Sequence, residues 1–162
     1  MLIEFTKRAD GRTVLRCLRA DGSVTWQRND DRNARFFPLH DLTHYAVETE
    51  LGFSQGFFGL IAKGWNIDET TGQTARGALP NEALEVEYIV SAFSAERAAG
   101  AIASAAEFNQ LARTFASAKG MPPPRPLSDE DLVRVRSRFD ELAAKWRSLQ
   151  PDETLELTFA LL

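Results

Sequence analysis

The sequence holds a single cysteine, Cys17, and only two histidines among 162 residues. One cysteine excludes an internal disulfide and suits a reducing compartment. Long apolar runs are missing: none approaches the roughly 18 residues that a membrane-spanning helix needs. The start, MLIEFTKRADGR, carries no apolar core of a secretory signal. A basic excess is missing too. The 19 lysines and arginines face 23 acids, for a formal net charge of −4, which argues against a nucleic-acid partner because phosphate neutralisation needs cations in surplus. The expectation is a cytoplasmic protein that engages neither nucleic acid nor membrane. Several chemical signatures are also lacking: no P-loop or dinucleotide fingerprint, no nucleophile elbow, no C-x-x-C pair and no aspartate-rich calcium loop.

What is present fits one α+β domain over residues 1–162. Hydrophobic content of 44% and charged content of 26% are ordinary for a globular chain of this length. Three β-rich runs open the sequence at 2–7, 12–19 and 23–28. Ile3 and Phe5 share one face of the first, and Val24 and Trp26 share one face of the third. Asp10-Gly11 and Asp21-Gly22 separate the runs, and an Asp-Gly pair between alternating segments is a strong hairpin signal. At the far end, residues 153–161 alternate again, with Leu155, Leu157, Phe159 and Leu161 on one face. The expected architecture is therefore one antiparallel sheet of about four strands, the meander plus the C-terminal strand, with helices on one face.

The middle of the chain reads as helices and connectors. Residues 28–37 are polar and then aromatic, a loop. Pro38 suits a first helical turn, and a helix over about 38–51 closes at Gly52. Ser54 is the expected cap of a short second helix that stops at Gly64. Residues 65–79 read as a loop. Residues 81–118 read as a helix, with Val86, Ile89, Val90 and Phe93 at helical spacing, although 84–88 also alternates like a strand. Asn81 after Pro80 is its expected cap, and Gly100 bends or breaks it. The alanine-rich stretch after it allows close helix packing, either within the chain or at the seam of a homo-oligomer. Residues 120–126 form an extended proline-rich connector. Ser128 followed by acids opens a last helix, whose apolar stripe is Leu132, Val135, Phe139, Leu142, Ala143 and Trp146. Cys17 reads as a small buried hydrophobe, and Gly52, Gly56 and Gly59 as residues for turns and close packing.

The chemistry-bearing stretch is PLHDLTHYAVETEL, from Pro38 to Leu51. His40 and His44 are four residues apart, the spacing that stacks side chains on one helix face. At 100° per residue, His40, His44, Glu48 and Asp41 form one contiguous stripe beside apolar positions, so the histidines should be at least half buried. A buried imidazole needs a hydrogen-bond partner or a metal. His-Asp-Leu-Thr-His differs from the zinc-protease signature H-E-x-x-H by one methylene, which leaves Asp41 about 1.5 Å short of the glutamate's reach. Glu48 lies about 12 Å along the axis from His40 and is a poor third ligand. At i+4 from His44 it is better placed to orient that ring from outside the coordination sphere. A divalent metal would thus use His40 and His44 plus a group from elsewhere, with Asp68, Glu69 and Glu82 as candidates. Asp41 is the candidate catalytic acid or base. Both rings are expected to be neutral near pH 7, because a helix N-terminus disfavours the imidazolium. Three readings stand: histidines that only anchor the helix, a metal site, and metal-free acid/base chemistry.

The same residues carry a resemblance. Pro38-Leu-His-Asp-Leu-Thr-His-Tyr-Ala-Val-Glu48, then Leu51-Gly52 and Phe58-Gly59-Leu-Ile-Ala-Lys-Gly64, resemble a group of uncharacterised bacterial proteins with P-H-D-L-x-H-x-x-V-E, a leucine-glycine and a glycine-rich helix. Leu39, inserted between the proline and the first histidine, departs from that pattern. The resemblance names the motif and implies no particular chemistry.

Overall fold

The computed structural model describes residues 1–30, 36–73, 76–100 and 102–161. Residues 31–35 of the expected 28–37 loop, 74 and 75 of the expected 65–79 loop, 101 and 162 lie outside the described residues. Four strands, β1 (Leu2–Lys7), β2 (Thr13–Leu18), β3 (Val24–Asn29) and β4 (Thr154–Thr158), form one antiparallel sheet in the order β3-β2-β1-β4. Both Asp-Gly signals become hairpin turns, with Gly11 and Gly22 at φ 82° and 83°, a region that glycine enters without steric cost.

Alternation sorts the sheet's faces. Ile3, Phe5, Leu15, Cys17, Leu155 and Leu157 are buried on the helix side. Val24 and Trp26 do share a face, but it is the solvent side, where Trp26 is 62% exposed. Leu161 departs from the expected buried row: β4 ends at Thr158, and Leu161 is exposed. Beyond the ladder, Phe159 is held by a hydrogen bond from its backbone N–H to Met1 O (2.9 Å) and is buried.

Among the described residues there are five helices, packed on the sheet's inner side or on one another: α1 (Phe37–Leu51), α2 (Phe57–Ala62), α3 (Asn81–Ala99), α4 (Ala105–Ala118) and α5 (Asp129–Ser148). A 3₁₀ turn at Ile67–Thr71 lies within the segment expected to be loop. Helix α1 packs against α2, α3 and α5, so it is buried nearly all round rather than along one stripe. Gly52 closes it in the left-handed conformation at φ 70°. Helix α3 resolves the ambiguity at 84–88 in favour of helix, with Pro80 rather than Asn81 at its cap and Gly100 ending it. In α4 the small residues serve packing within the chain: Ala112 and Ala116 are buried, and Phe108 meets Phe93 of α3 with ring centroids 4.4 Å apart. Helix α5 starts at Ser128 with a capping box closed by Asp131, and all six residues of its expected stripe are buried.

Sheet and helices meet in an aromatic cluster. Phe58 of α2 lies edge-on to Phe5 of β1 (6.5 Å) and to Tyr45 of α1 (6.1 Å), while Phe5 also meets Trp146 of α5 (6.4 Å). Tyr45 donates its hydroxyl proton to Thr158 O at the end of β4 (2.8 Å). The C-terminal strand thus closes both the sheet and the aromatic core. Deleting residues 153–162 would expose apolar surface once covered by Leu155, Leu157 and Phe159. Each such side chain contributes about 1.5–3 kcal/mol by burial, against a typical total stability of about 5–15 kcal/mol. The truncated chain should fail to show a cooperative thermal transition near that of the intact protein; an unchanged melting temperature would contradict this role for β4.

Candidate metal centre

Helix α1 presents His40 and His44 on one face, as their spacing requires, with ring centroids 4.9 Å apart and nearly perpendicular. Phe36 stacks on His40 (5.4 Å, 22° between planes), and Phe57 of α2 lies 5.4 Å from His44. Aromatic neighbours limit how far either imidazole can rotate.

The third group comes from α3. Glu87 Oε2 lies 3.1 Å from His44 Nε2, within hydrogen-bond range, and 4.0 Å from His40 Nε2. One ligating atom from each of His40, His44 and Glu87 falls within 4.8 Å of the other two. Two of the three candidates read from the sequence as third ligand do other work. Glu82 accepts hydrogen bonds from the backbone amides of Ser54 and Gln55 (2.6 Å each). Glu69 closes a capping box on Asn66 and pairs with Arg76. Asp68 lies in the same 3₁₀ turn. None of the three belongs to the cluster around the histidines. Sequence reasoning missed Glu87 because Glu82, Glu85 and Glu87 are equivalent as residue types. The available signal was positional: on a helix Glu87 follows Ala83 by four residues, and both line the cleft beside the histidines.

Glu48 sits where expected, one turn beyond His44, but its main task is different. Its carboxylate is 1% exposed overall and accepts the amide protons of Phe58 (3.1 Å to Oε1) and Gly59 (2.9 Å to Oε2) at the start of α2. This long-range cap replaces the one expected from Ser54; the residue at the α2 N-cap is Gly56, which makes no side-chain cap. Glu48 Oε1 is also 3.6 Å from His44 Nδ1, close enough for charge attraction but too long for a hydrogen bond. The remaining candidate, Asp41, is buried and lines the same cleft. Its Oδ2 has no hydrogen-bond partner, nor do Nδ1 of His40 and Nδ1 of His44. These are three of the four such buried side-chain atoms among the described residues, so unsatisfied polarity is concentrated here. Such groups are costly unless something else completes them.

The titration of the site follows from this packing. For His44 burial disfavours the charged ring, but the carboxylates of Glu48 and Glu87 outweigh it and push its pKa up to about 10. For His40 burial and the neighbouring His44 charge pull the pKa down to about 4, against Glu87. The two rings thus shift in opposite directions in the metal-free protein, His44 up because two carboxylates face it and His40 down through burial and its charged neighbour. Burial raises Asp41 to about 7, with the His44 charge acting against it. Cys17 is pushed up to about 12, mainly by burial, which keeps it a thiol.

The histidines, Asp41 and Glu87 line a cleft of about 610 Å³ walled by Phe57, Leu60, Leu79 and Leu84, among others. Nitrogen and carboxylate donors on one side of an open cleft can hold a divalent ion and leave a coordination position free for a further ligand.

Gly56 leaves room for the buried carboxylate. A Cβ there would lie 2.4 Å from Cδ of Glu48, and Glu48 cannot swing away without losing both amide bonds. Gly56→Ala should lower stability by about 1–3 kcal/mol, read by urea denaturation; a neutral effect would show that the α2 cap is not tightly held. A second expectation concerns pH. A folded-state pKa raised from 6.5 to about 10 at His44 gives stabilisation that is complete below 6.5 and lost as pH rises towards 10. In chelator, stability should fall across that window by at most about 1.4 kcal/mol per pH unit for this one proton. His44→Gln should flatten the slope, and an equally steep slope in the variant would refute the assignment.

No known protein family, curated protein or solved structure matches the chain, so the reading of this centre rests on its own geometry.

Proposed function

We propose that this protein binds one divalent transition-metal ion, zinc first among them, through His40, His44 and Glu87, and keeps at least one coordination position open to the adjoining cleft. The observation that carries this reading is the convergence of three ligating atoms from two helices within 4.8 Å. Bonds of about 2.0–2.2 Å to zinc put tetrahedral ligand atoms about 3.4 Å apart. The His44–Glu87 distance of 3.1 Å is already close to that, and the His40–Glu87 distance of 4.0 Å needs only a small side-chain adjustment. A donor set of two imidazoles and one carboxylate suits zinc and also ferrous iron.

The surroundings support the same reading. With Nε2 of His44 turned to the ion, Nδ1–H points toward Glu48, the carboxylate–histidine–metal arrangement that fixes a ring and raises its basicity. The ion takes the place of the proton that His44 and Glu87 share in the metal-free protein. Asp41, close by and buried, is the candidate acid or base for a ligand bound at the open position.

A second reading has its own support. The His44–Glu87 bond ties α1 to α3, and Glu48 ties α1 to α2, so the same residues serve as an anchor without any ion. Elemental analysis of untagged protein after equilibration with zinc separates the two. One equivalent is expected in the wild type and a tenth of that or less in His40→Ala, His44→Ala and Glu87→Ala, each folded by circular dichroism. Absence of zinc from the wild type, or its retention in all three variants, would leave only the anchoring role.

A further inference from the structure

The cleft beside the metal centre restricts what the open position can take. It holds about 610 Å³, within the range of small-molecule sites. Its walls are mainly hydrocarbon and aromatic, with Phe37, Phe57, Leu60, Leu79, Leu84 and Met121 prominent. Its charges are few. Among the described lining residues Lys119 is the only lysine or arginine, and Asp41 and Glu87 bring two carboxylates.

Four backbone amides of the neighbouring segment are already engaged. The amides of Phe58 and Gly59 at the start of α2 are taken by Glu48, and those of Ser54 and Gln55 by Glu82. Phosphate groups are commonly held by clusters of arginine and lysine, and among its described lining residues this cleft has Lys119 alone. A nucleotide or sugar phosphate would thus bring several charges with little to meet them. A divalent ion with two neutral imidazoles and the Glu87 carboxylate carries a formal charge of +1; Asp41 and Lys119, of opposite formal sign, leave that sum unchanged, and one carboxylate balances it. The buried hydrocarbon walls then favour an apolar body on that carboxylate.

Resting on the metal reading, we infer that the cleft binds an apolar organic acid, its carboxylate on the open metal position and its hydrocarbon body against the wall formed by α2, α3 and Leu79. The ion supplies the attraction for the head and the walls supply selection for the tail. Acetate, with the head alone, and 4-phenylbutanol, with the body alone, each satisfy half of the site.

Calorimetry with 4-phenylbutyrate tests this on zinc-loaded and metal-free protein, with zinc content measured in parallel. Binding should be at least tenfold tighter to the zinc-loaded form than to the metal-free form. It should also be at least tenfold tighter than that of acetate, 4-phenylbutanol or inorganic phosphate to the zinc-loaded form. Leu84→Glu and Leu79→Glu each put a carboxylate into the wall at a half-buried position. Both should retain zinc yet bind 4-phenylbutyrate at least tenfold more weakly. Equal affinity for acetate, phosphate or the alcohol would overturn the inference while leaving the metal site intact. So would equal affinity with and without zinc, or an unchanged affinity in both wall variants. Failure of the wild type to load zinc would instead defeat the metal reading, and the inference with it.

Discussion

A carboxylate buried as deeply as that of Glu48 is costly unless its lone pairs are met. Here two backbone amides meet them, and the result is a joint between α1 and the start of α2. The joint fixes more than two helices. It sets Phe57 beside His44 and Phe58 in the aromatic cluster, so the histidine pair and the core share one strut. Gly56 is small because the strut passes beside it. The same carboxylate also faces His44 Nδ1, which makes one side chain responsible for helix placement and for the electrostatic environment of an imidazole.

The use of distant glutamates recurs. Glu82 of α3 caps the amides of residues 54 and 55, and Glu85 accepts the amide proton of Arg125 at 2.8 Å in the proline-rich connector. Glu96 is buried against Arg136 of α5, with Nε to Oε1 at 2.9 Å. These acids satisfy irregular backbone or cross-helix cations at places where local side chains do not. The arrangement lets loops run close to the core without stranded amides. It also leaves Glu87 as the carboxylate of α3 directed at the histidines.

The parts of this fold that were legible in the sequence depend on local physics. Asp-Gly turns set the meander, alternation marked β4, and Ser128 with its acids marked the start of α5. The pairing of His40 with His44 needed only the pitch of a helix. Glu87 was not legible, because its role depends on how α1 and α3 cross, and neighbouring glutamates on the same helix face other partners. The Ser54 cap failed for the same reason: the donors at that turn are satisfied by groups 10 or more residues away. The upward shift at His44 was not legible either, because it comes from Glu87 on another helix together with Glu48.

The pairing of β1 with β4 joins residues such as Thr6 and Thr154, which are 148 positions apart. A ladder of that span closes a very long loop, and such contacts form late because chain entropy opposes them until other parts are in place. During synthesis, β1 therefore emerges with one side paired to β2 and the other side bare while all five helices are still being made. That bare edge of Leu2–Lys7 is open to pairing with another nascent chain. Lys7 and Glu4 put charge on that edge, and charged side chains on an open edge disfavour such pairing.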